Sequence, residues 1–324
     1  MQFLTHSILL FLAAAVIAKN IILSNDDGWA ATNIRATYYK LKEAGHNVFL
    51  VAPVSQRSGY GGKFDVPSSS TLQTDGEFKY PPAGSPSWGH EEDDDHIWYF
   101  NGTPASSIAF ALQYVIKEKF NGTSIDLVVA GPNEGTNMSP GMFTLSGTIG
   151  ATYNSVYRGY PAVAFSGSNS NNSFFKDSLD LNDTSEPSTI YANKVTQFVE
   201  QLFQGQGDNS SRVLPLGVGL NVNFPKVGHD DESCTDPKWV HTRLSGEYAS
   251  GSDLKYNAEK NSFESTSGSW EALTVCHNGN CSLPSENSIV DHSKCASAVS
   301  VFSIDYDANL DITNRVEGVL DSLF

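Results

Sequence analysis

Short apolar runs alternate with helix-like segments along much of this chain, and this alternation constrains the fold more than any other feature. Residues 20–24 form a short apolar run, and a helical pattern follows to about Ala44. A second apolar run occupies residues 47–52. A strand, a helix and a strand at this spacing form a βαβ unit, whose two strands are parallel.

The same alternation continues further along the chain. It predicts helices over residues 105–119, 148–157 and 189–203, and strands over 126–130 and 162–165. Repeated βα units place helices on both faces of a parallel sheet. We therefore predict an α/β fold, namely a three-layer α/β/α Rossmann-like sandwich with a mainly parallel sheet and a C-terminal β-rich or loop extension.

Other stretches lack this periodicity and are rich in Ser, Pro, Gly or acidic residues. They cover residues 63–95, 167–187 and 234–292, where we predict loops or insertions. A strand over residues 298–306 and a terminal helix over 312–324 are predicted to return the chain to the core.

The N-terminus predicts a signal peptide over residues 1–18. A polar start is followed by an apolar run from Ile8 to Ala18 that ends in small residues. The alternative, a membrane anchor, needs about 20 apolar residues. Residues 19–324 are predicted to form a single domain, with a core of about 20–225 and 296–324 and a cysteine-containing insertion at about 226–295.

Seven Asn-x-Ser/Thr sequons follow the predicted signal peptide. This number favours a secreted glycoprotein, located in the cell wall, the medium or the vacuole. One sequon, at Asn137, coincides with a candidate site residue described below. The other six are the glycosylation candidates, Asn101, Asn121, Asn171, Asn182, Asn209 and Asn280.

The four cysteines, Cys234, Cys276, Cys281 and Cys295, all lie in the last third of the chain. In an oxidising compartment, an even number favours two disulfides over a metal site. Three pairings are possible. The short Asn/Gly turn between Cys276 and Cys281 favours a bond there, which leaves Cys234 and Cys295 to span the insertion.

The charge of the chain limits its partners. Twenty Lys and Arg against 36 Asp and Glu give a formal net charge of −16. This excess repels phosphate backbones and anionic lipid surfaces, so we expect neither polymeric nucleic acid nor a membrane as a partner. A small phosphate ester remains compatible if a bound cation reverses the local field. The acidic run at residues 90–96 is interpreted as a solvated loop.

Polar residues follow several predicted strands or open predicted helices. Because the carboxyl ends of parallel strands share one edge of a sheet, these residues are expected to converge there. The candidates are Asp26 and Asp27 after the first strand, Ser58 in the glycine-containing loop after the second, Asn133 and Asn137 after the third, and Ser146, Gly147 and Thr148 at a helix start.

Each of these features also has an ordinary structural interpretation. Asp27-Gly28 is typical of a hairpin turn, the two asparagines of Asx turns, and Ser146 of a helix N-cap. Their convergence favours a site instead. Carboxylate, amide and hydroxyl oxygens suit Mg²⁺, Mn²⁺ or Ca²⁺ and do not suit thiolate-bound zinc.

Five blocks in this order resemble the survival protein SurE family, which comprises metal-dependent nucleotidases and acid phosphatases. They are Ile-Leu-Ser-Asn-Asp-Asp-Gly at 22–28, the Arg-Ser-Gly loop at 57–59, Gly-Thr-Pro at 102–104, Gly-x-Asn-x-Gly-x-Asn at 131–137 and Ser-Gly-Thr at 146–148. The likeness covers about residues 20–168 and reappears at 219–225 and 299–303. The signal peptide and the cysteine-containing insertion also resemble the secreted fungal acid phosphatases of this family.

The resemblance implies a role for each candidate. Asp26, Asp27, Ser58 and Asn133 match the positions of the metal ligands, whereas Asn137, Ser146, Gly147 and Thr148 match the phosphate pocket. It implies hydrolysis of nucleoside monophosphates or simple phosphate monoesters by in-line attack of a metal-activated water. Asp26 or Asp27 would accept the proton of that water, and the resemblance also implies a homodimer.

The chain departs from the family pattern at a few positions. Ser106 stands where the family usually has an acidic residue, and Pro132 and Glu134 are unusual inside the asparagine motif. Substrate preference is therefore not carried over. These departures leave an alternative function, a secreted protein that binds phosphate or nucleotide on the same fold without turnover. A serine esterase is disfavoured because the chain has no Gly-x-Ser-x-Gly.

Overall fold

The computed structural model describes residues 18–206 and 212–323. The predicted signal peptide up to residue 17, and the sequon at Asn209, lie outside the described residues. Within the described ranges, nine strands form one sheet in the order β3-β4-β2-β1-β5-β6-β7-β11-β8. The strands are β1 (Asn20–Ser24), β2 (Asn47–Pro53), β3 (Trp88–His90), β4 (Ile97–Phe100), β5 (Leu127–Glu134), β6 (Ala162–Gly167), β7 (Val218–Asn223), β8 (Lys238–Thr242) and β11 (Ala296–Ser303).

Neighbouring strands from β4 to β7 are parallel. The outer strand β3 is antiparallel to β4, and β11 is antiparallel to β7 but parallel to β8. Because β1 and β5 are neighbours in the sheet, the residues that follow them leave at the same edge.

Helices cover both faces of the sheet. On one face, α1 (Thr32–Glu43) and α6 (Pro187–Gln206) pack over Ile21 and Leu23. On the other, α2 (Pro104–Phe110), its π-helical continuation Ala111–Lys119 and α4 (Gly147–Tyr157) pack over Ile22. Successive side chains of a strand point to opposite faces, so a continuously apolar strand is buried on both sides. The predicted three-layer α/β sandwich is confirmed.

The remaining helices are short or peripheral. They are α3 (Ser139–Leu145), α5 (Phe175–Ser178), α7 (Glu271–Thr274), α8 (Glu286–Val290) and α9 (Leu310–Leu320), with 3₁₀ turns at Glu77–Lys79 and Asp321–Leu323. Among the helices of the described ranges, none is long and apolar enough to cross a bilayer.

Two of the stretches predicted as irregular contain strands. The first supplies β3, and residues 234–292 supply β8 together with the antiparallel hairpin of β9 (Gly251–Asn257) and β10 (Ser262–Gly268). β8 pairs with β11 and so belongs to the main sheet. The predicted β-rich C-terminal extension is therefore confirmed. The position of β8 was not predicted, because it is a short edge strand with exposed Lys238 and His241, whose composition carries no clear period.

The predicted return of the C-terminus to the core is only half correct. β11 enters the sheet at Ala296–Ser303, as expected. Within Leu310–Leu320, however, no side chain is buried, and Val319 is 82% exposed. The periodicity of the segment predicts an amphipathic helix, but periodicity alone does not say which surface covers its apolar face.

The cysteines form the two favoured disulfides, Cys234–Cys295 and Cys276–Cys281. The first joins the loop before β8 to the residue before β11, and the second closes a turn after α7. The first disulfide therefore joins the two ends of the long insertion, next to β8 and β11.

Candidate active site

Asp26 and Asp27 lie directly after β1 and are 2% and 1% exposed. Asn25 forms the turn after the strand, since its side chain accepts from the Gly28 amide and donates to the Gly28 carbonyl. Gly28 has φ +107°, a conformation that favours glycine. The chain then enters α1, so the hairpin interpretation of Asp27-Gly28 was wrong.

Both carboxylates receive hydrogen bonds from the neighbouring strand and helix. The Thr148 hydroxyl donates to Asp26 Oδ1 at 2.5 Å, and the Glu134 amide donates to Asp27 Oδ2 at 2.9 Å. Burial raises the pKa of Asp26 to about 6, against the lowering effect of Thr148. Burial, followed by the charge of Asp26, raises the pKa of Asp27 well above its usual range.

No basic side chain in the described part of the chain pairs with either aspartate. Two adjacent buried carboxylates without a compensating charge are costly in free energy. A divalent cation bound between them would remove that cost. The donor set therefore fits a hard metal ion.

Asn133 lies near the end of β5, beyond a register shift between Ala130 and Asn133. Its amide nitrogen donates to the carbonyls of Glu134 and Gly135 at 3.0 and 2.6 Å. The Asx-turn interpretation is thus correct for the nitrogen. Its Oδ1 lies 3.4 Å from the Thr148 hydroxyl, on the side of the aspartates. The amide oxygen is therefore placed as a further hard donor beside them.

The N-terminus of α4 lies against the same carboxylates. Ser146 caps the helix by accepting from the Ile149 amide at 3.2 Å, so the N-cap interpretation is also correct. A Cβ on Gly147 would lie 2.8 Å from Asp26 Oδ2. A glycine is therefore needed at this contact. The backbone amides of Gly147 and Thr148 interact with the Asp26 carboxylate, as amides at a helix start do with an anion.

Asn137 is 5% exposed and lies against the ends of β6 and β7. Its amide nitrogen donates to Ser166 Oγ at 2.8 Å, and its backbone amide donates to Asn223 Oδ1 at 2.8 Å. Its carbonyl accepts from Asn221 Nδ2 at 2.9 Å. Asn137 is thus fixed by three neighbours.

Ser58 is exposed, in contrast to the other candidates. Its loop still reaches the aspartates, because the Arg57 amide donates to the Asp26 carbonyl at 2.6 Å and the Gln56 side chain hydrogen-bonds to Asp27. The structure therefore brings the loop of Ser58 to the site.

Ser106, the departure after Gly-Thr-Pro, has a structural role. It is 1% exposed and forms a capping box with Thr103 at the start of α2. The hydroxyl also donates to the Asp65 carbonyl at 2.5 Å. A buried hydroxyl in such a cap stabilises the helix start.

Sequence reasoning missed several polar groups around the site. Asn172 Nδ2 donates to the Asp27 carbonyl at 3.1 Å, and burial raises the pKa of Glu134 to about 7. Asn221 and Glu286 lie behind Asn137. The motif pattern already contained Glu134, but Asn172 and Glu286 come from irregular stretches in which no pattern singles them out.

Two further groups of acidic and histidine side chains lie outside this site, at Asp94, Asp95 and His96 and at Asp183, Glu186 and His229. The first belongs to the acidic loop, where Asp94 accepts hydrogen bonds from Tyr38 and Lys42. These hydrogen bonds hold the acidic loop against α1, so its acidic residues have a structural role.

The family model for "Survival protein SurE" matches residues 21–249. An acid phosphatase of Yarrowia lipolytica is 44% identical over 290 residues, which are 89% of this chain and 80% of the relative. A 5'-nucleotidase SurE of Lawsonia intracellularis is 28% identical over 210 residues, 64% of this chain and 66% of the relative.

The crystal structure of the SurE protein from Aquifex aeolicus matches with a TM-score of 0.60 at 19% identity, over 93% of this chain and 99% of that one. At this identity, the structural match shows the shared fold. The family model spans more than half of the chain, and the identity to the acid phosphatase of Yarrowia lipolytica extends over most of it. The predicted resemblance is therefore confirmed: the chain belongs to the survival protein SurE family.

Proposed function

We propose that this chain is a secreted, divalent-cation-dependent phosphomonoesterase that hydrolyses nucleoside monophosphates or simple phosphate monoesters. One observation carries the proposal. Asp26 and Asp27 are buried side by side at a strand end, beside the N-terminus of α4, with no basic partner among the described residues. The names of the relatives, an acid phosphatase and a 5'-nucleotidase, support phosphomonoester hydrolysis.

Asp26, Asp27, Ser58 and Asn133 would hold the cation, with Mg²⁺ or Mn²⁺ as the first choices and Ca²⁺ as the alternative. The ion supplies polarisation of a phosphoryl oxygen and a lower pKa for a bound water. Hard oxygen donors at Asp26, Asp27 and Asn133 support this choice. Ser58 takes part if its exposed loop closes over the site.

The phosphate group is held by Asn137 and by the segment Ser146, Gly147 and Thr148. The start of α4 favours a negative group, and its Gly147 and Thr148 amides already interact with the Asp26 carboxylate. Thr148 also donates to Asp26, so it couples the phosphate pocket to the carboxylates. Since the pocket contacts mainly phosphate, leaving groups are discriminated only loosely.

One of the two aspartates accepts the proton of the attacking water. Asp26 has one oxygen engaged by Thr148, and Asp27 has one engaged by the Glu134 amide. Asp26 also interacts with the backbone amides of Gly147 and Thr148, and Asp27 with the Gln56 side chain. The two assignments of the general base remain equal alternatives.

The cysteines support the secreted location, because all four are paired in disulfides. The candidate glycosylation sites Asn121, Asn171, Asn182 and Asn280 are exposed, and Asn101 is half-buried. The exposed apolar side chains of α9 support a homodimer, since a monomer would leave them in water.

The test is hydrolysis of p-nitrophenyl phosphate and adenosine monophosphate by the purified mature chain, before and after EDTA and with Mg²⁺ or Mn²⁺ added back. We expect turnover to disappear with EDTA and to return with the metal. Turnover that is indifferent to EDTA would contradict the cation requirement. Phosphate binding without turnover under every metal and pH would establish the alternative, a non-catalytic binding protein.

A further inference from the structure

The segment around Asn137 is supported from behind by a residue of the C-terminal extension. Glu286, the first residue of α8, is 0% exposed. Its Oε2 accepts from the Ser139 amide at 3.2 Å, and its Oε1 accepts from Asn221 Nδ2 at 2.8 Å. The Ser300 hydroxyl is a third hydrogen-bond partner. Three neighbours thus surround this carboxyl group.

The contact through Asn221 continues to Asn137. The same amide nitrogen of Asn221 also donates to the Asn137 carbonyl, at 2.9 Å. Both partners of this nitrogen are oxygens, so the orientation of the Asn221 amide is fixed. Glu286 therefore has to present an acceptor to Asn221, and the position of Asn137 depends on that acceptor.

The contact through Ser139 constrains the backbone two residues after Asn137. Ser139 has φ +66°, a left-handed conformation that a non-glycine residue rarely adopts. Its amide is held by Glu286, and its hydroxyl donates to Asn287 Oδ1 at 2.5 Å. The strained conformation persists where surrounding groups enforce it. Here Glu286 and Asn287 of the extension hold Ser139 in this conformation.

We propose that Glu286 is a positioning residue, which holds the turn from Asn137 to Ser139 so that Asn137 can bind the phosphate group of the substrate. This inference rests on the proposed function, in which Asn137 belongs to the phosphate pocket. A glutamine could not replace Glu286, because its NH₂ group would face either Ser139 N–H or Asn221 Nδ2–H. Burial raises the pKa of Glu286 to about 8, although its hydrogen-bond partners lower it. An ionisable side chain in this buried position is therefore costly in free energy.

The proposal is tested by Glu286→Gln, with Glu271→Gln as the matched control on the exposed surface of the same extension. Phosphate contacts are made in the ground state and in the transition state, so their weakening raises KM more than it lowers kcat. We expect KM for p-nitrophenyl phosphate and Ki for inorganic phosphate to rise about tenfold, with kcat changed less than about threefold. The control should leave all three constants unchanged.

Circular dichroism and thermal unfolding show whether each variant is folded. If Glu286→Gln does not fold, Glu286→Asp decides, since it keeps the carboxyl group but reaches fewer of the three partners. The Ki of Glu286→Asp for inorganic phosphate should rise by less than the roughly tenfold factor expected for Glu286→Gln. An unchanged Ki in a folded variant, or a loss confined to kcat, would overturn the positioning role.

Phosphate affinity is also measured by calorimetry with inorganic phosphate, which needs no turnover. This separates the two proposals. If the wild-type chain binds phosphate but hydrolyses no ester, the proposed function fails while the role of Glu286 is still tested. If the wild type hydrolyses esters and Glu286→Gln binds phosphate as tightly as the wild type, only the positioning role fails.

Discussion

The carboxyl ends of β1 and β5 are enclosed by protein, whereas the hairpin of β9 and β10 is largely in solvent. Asp26 and Asp27 are at most 2% exposed, but Leu254 and Phe263 on the hairpin are 63% and 70% exposed. The first region lies at the ends of strands that are buried on both faces, and helices pack around it. The second packs against α3 at the start of β9, where Gly251 lies beside Gly141. The site thus depends on the sheet, and the extension contributes to it through its flanks.

Those flanks are β8, α8 and the Cys234–Cys295 disulfide. β8 lengthens the sheet, and α8 supplies Glu286 behind Asn137. The tip of the hairpin makes no comparable contribution among the described residues. Stability and function should therefore respond strongly to changes near the sheet and weakly to changes at the tip.

The largest contrast is expected between two phenylalanines. Phe49 is 0% exposed, with its ring 4.7 Å from that of Phe120. Phe49→Ala should lower the free energy of unfolding by about 3–5 kcal/mol because it leaves a cavity. Phe263→Ala should lower it by less than about 0.5 kcal/mol. Urea unfolding measures both, and an equal loss would mean that the hairpin is covered in the protein in solution.

The two disulfides should differ next. Cys234 and Cys295 are 61 residues apart, and Cys276 and Cys281 are 5 apart. Loop-closure entropy gives about 4 kcal/mol for the long loop and about 2 kcal/mol for the short one. Replacing each pair by serines should therefore lower the unfolding free energy by about 2 kcal/mol more for the Cys234 pair. Equal losses would show that the flank of the extension is no better anchored than its turn.

A further contrast is expected in the pH dependence of stability. The pKa of Glu286 is raised to about 8 in the folded chain, from an ordinary value of 4.5. Between these values the unfolded chain has released the proton and the folded chain keeps it, so stability falls as pH rises. Glu286→Gln should remove up to about 1.4 kcal/mol of this fall per pH unit.

Urea midpoints of the EDTA-treated wild type and of Glu286→Gln at pH 5 and pH 8 give the two slopes. Other titrating groups contribute to both proteins, so their effects cancel in the difference. Parallel slopes would mean that Glu286 has its ordinary pKa in the folded chain.

The sequons give the smallest expected effect. Asn137 is 5% exposed and its amide nitrogen is bonded to Ser166, whereas Asn121 and Asn280 are exposed. A glycan would have to replace the Ser166 contact and fill the phosphate pocket. Mass spectrometry of glycopeptides from active protein secreted by a eukaryotic host should find Asn137 unmodified. An occupied Asn137 in active material would remove it from the pocket.

The βαβ core and the convergence of polar residues beyond β1 and β5 were predictable because both depend on local patterns. Apolar runs such as 47–52 predict buried strands, and the residues that follow parallel strands converge by geometry alone. Asp26, Asn133 and Thr148 could be placed together on this basis. The aspartates could be predicted without any knowledge of the insertion.

The rest depends on contacts between distant parts of the chain. Ser139 and Glu286 are separated by 147 residues, and no local pattern marks their hydrogen bond. β8 is too short and polar to be recognised without its partner β11. The exposure of Ser58 follows from the path of its loop. These features are decided by tertiary packing, which a single sequence does not display.

The central claim is that the carboxyl end of β1 carries the chemistry, and the chain offers a matched test. Asp126 lies at the opposite end of the same strands, where its Oδ2 accepts from the Asn20 amide at 2.8 Å. The measurement is kcat/KM for p-nitrophenyl phosphate with Mn²⁺ for Asp26→Asn and Asp126→Asn. We predict a loss of at least about 10³-fold, or about 4 kcal/mol, for Asp26→Asn. Asp126→Asn should stay within about twofold of the wild type. Full activity of folded Asp26→Asn would contradict the account.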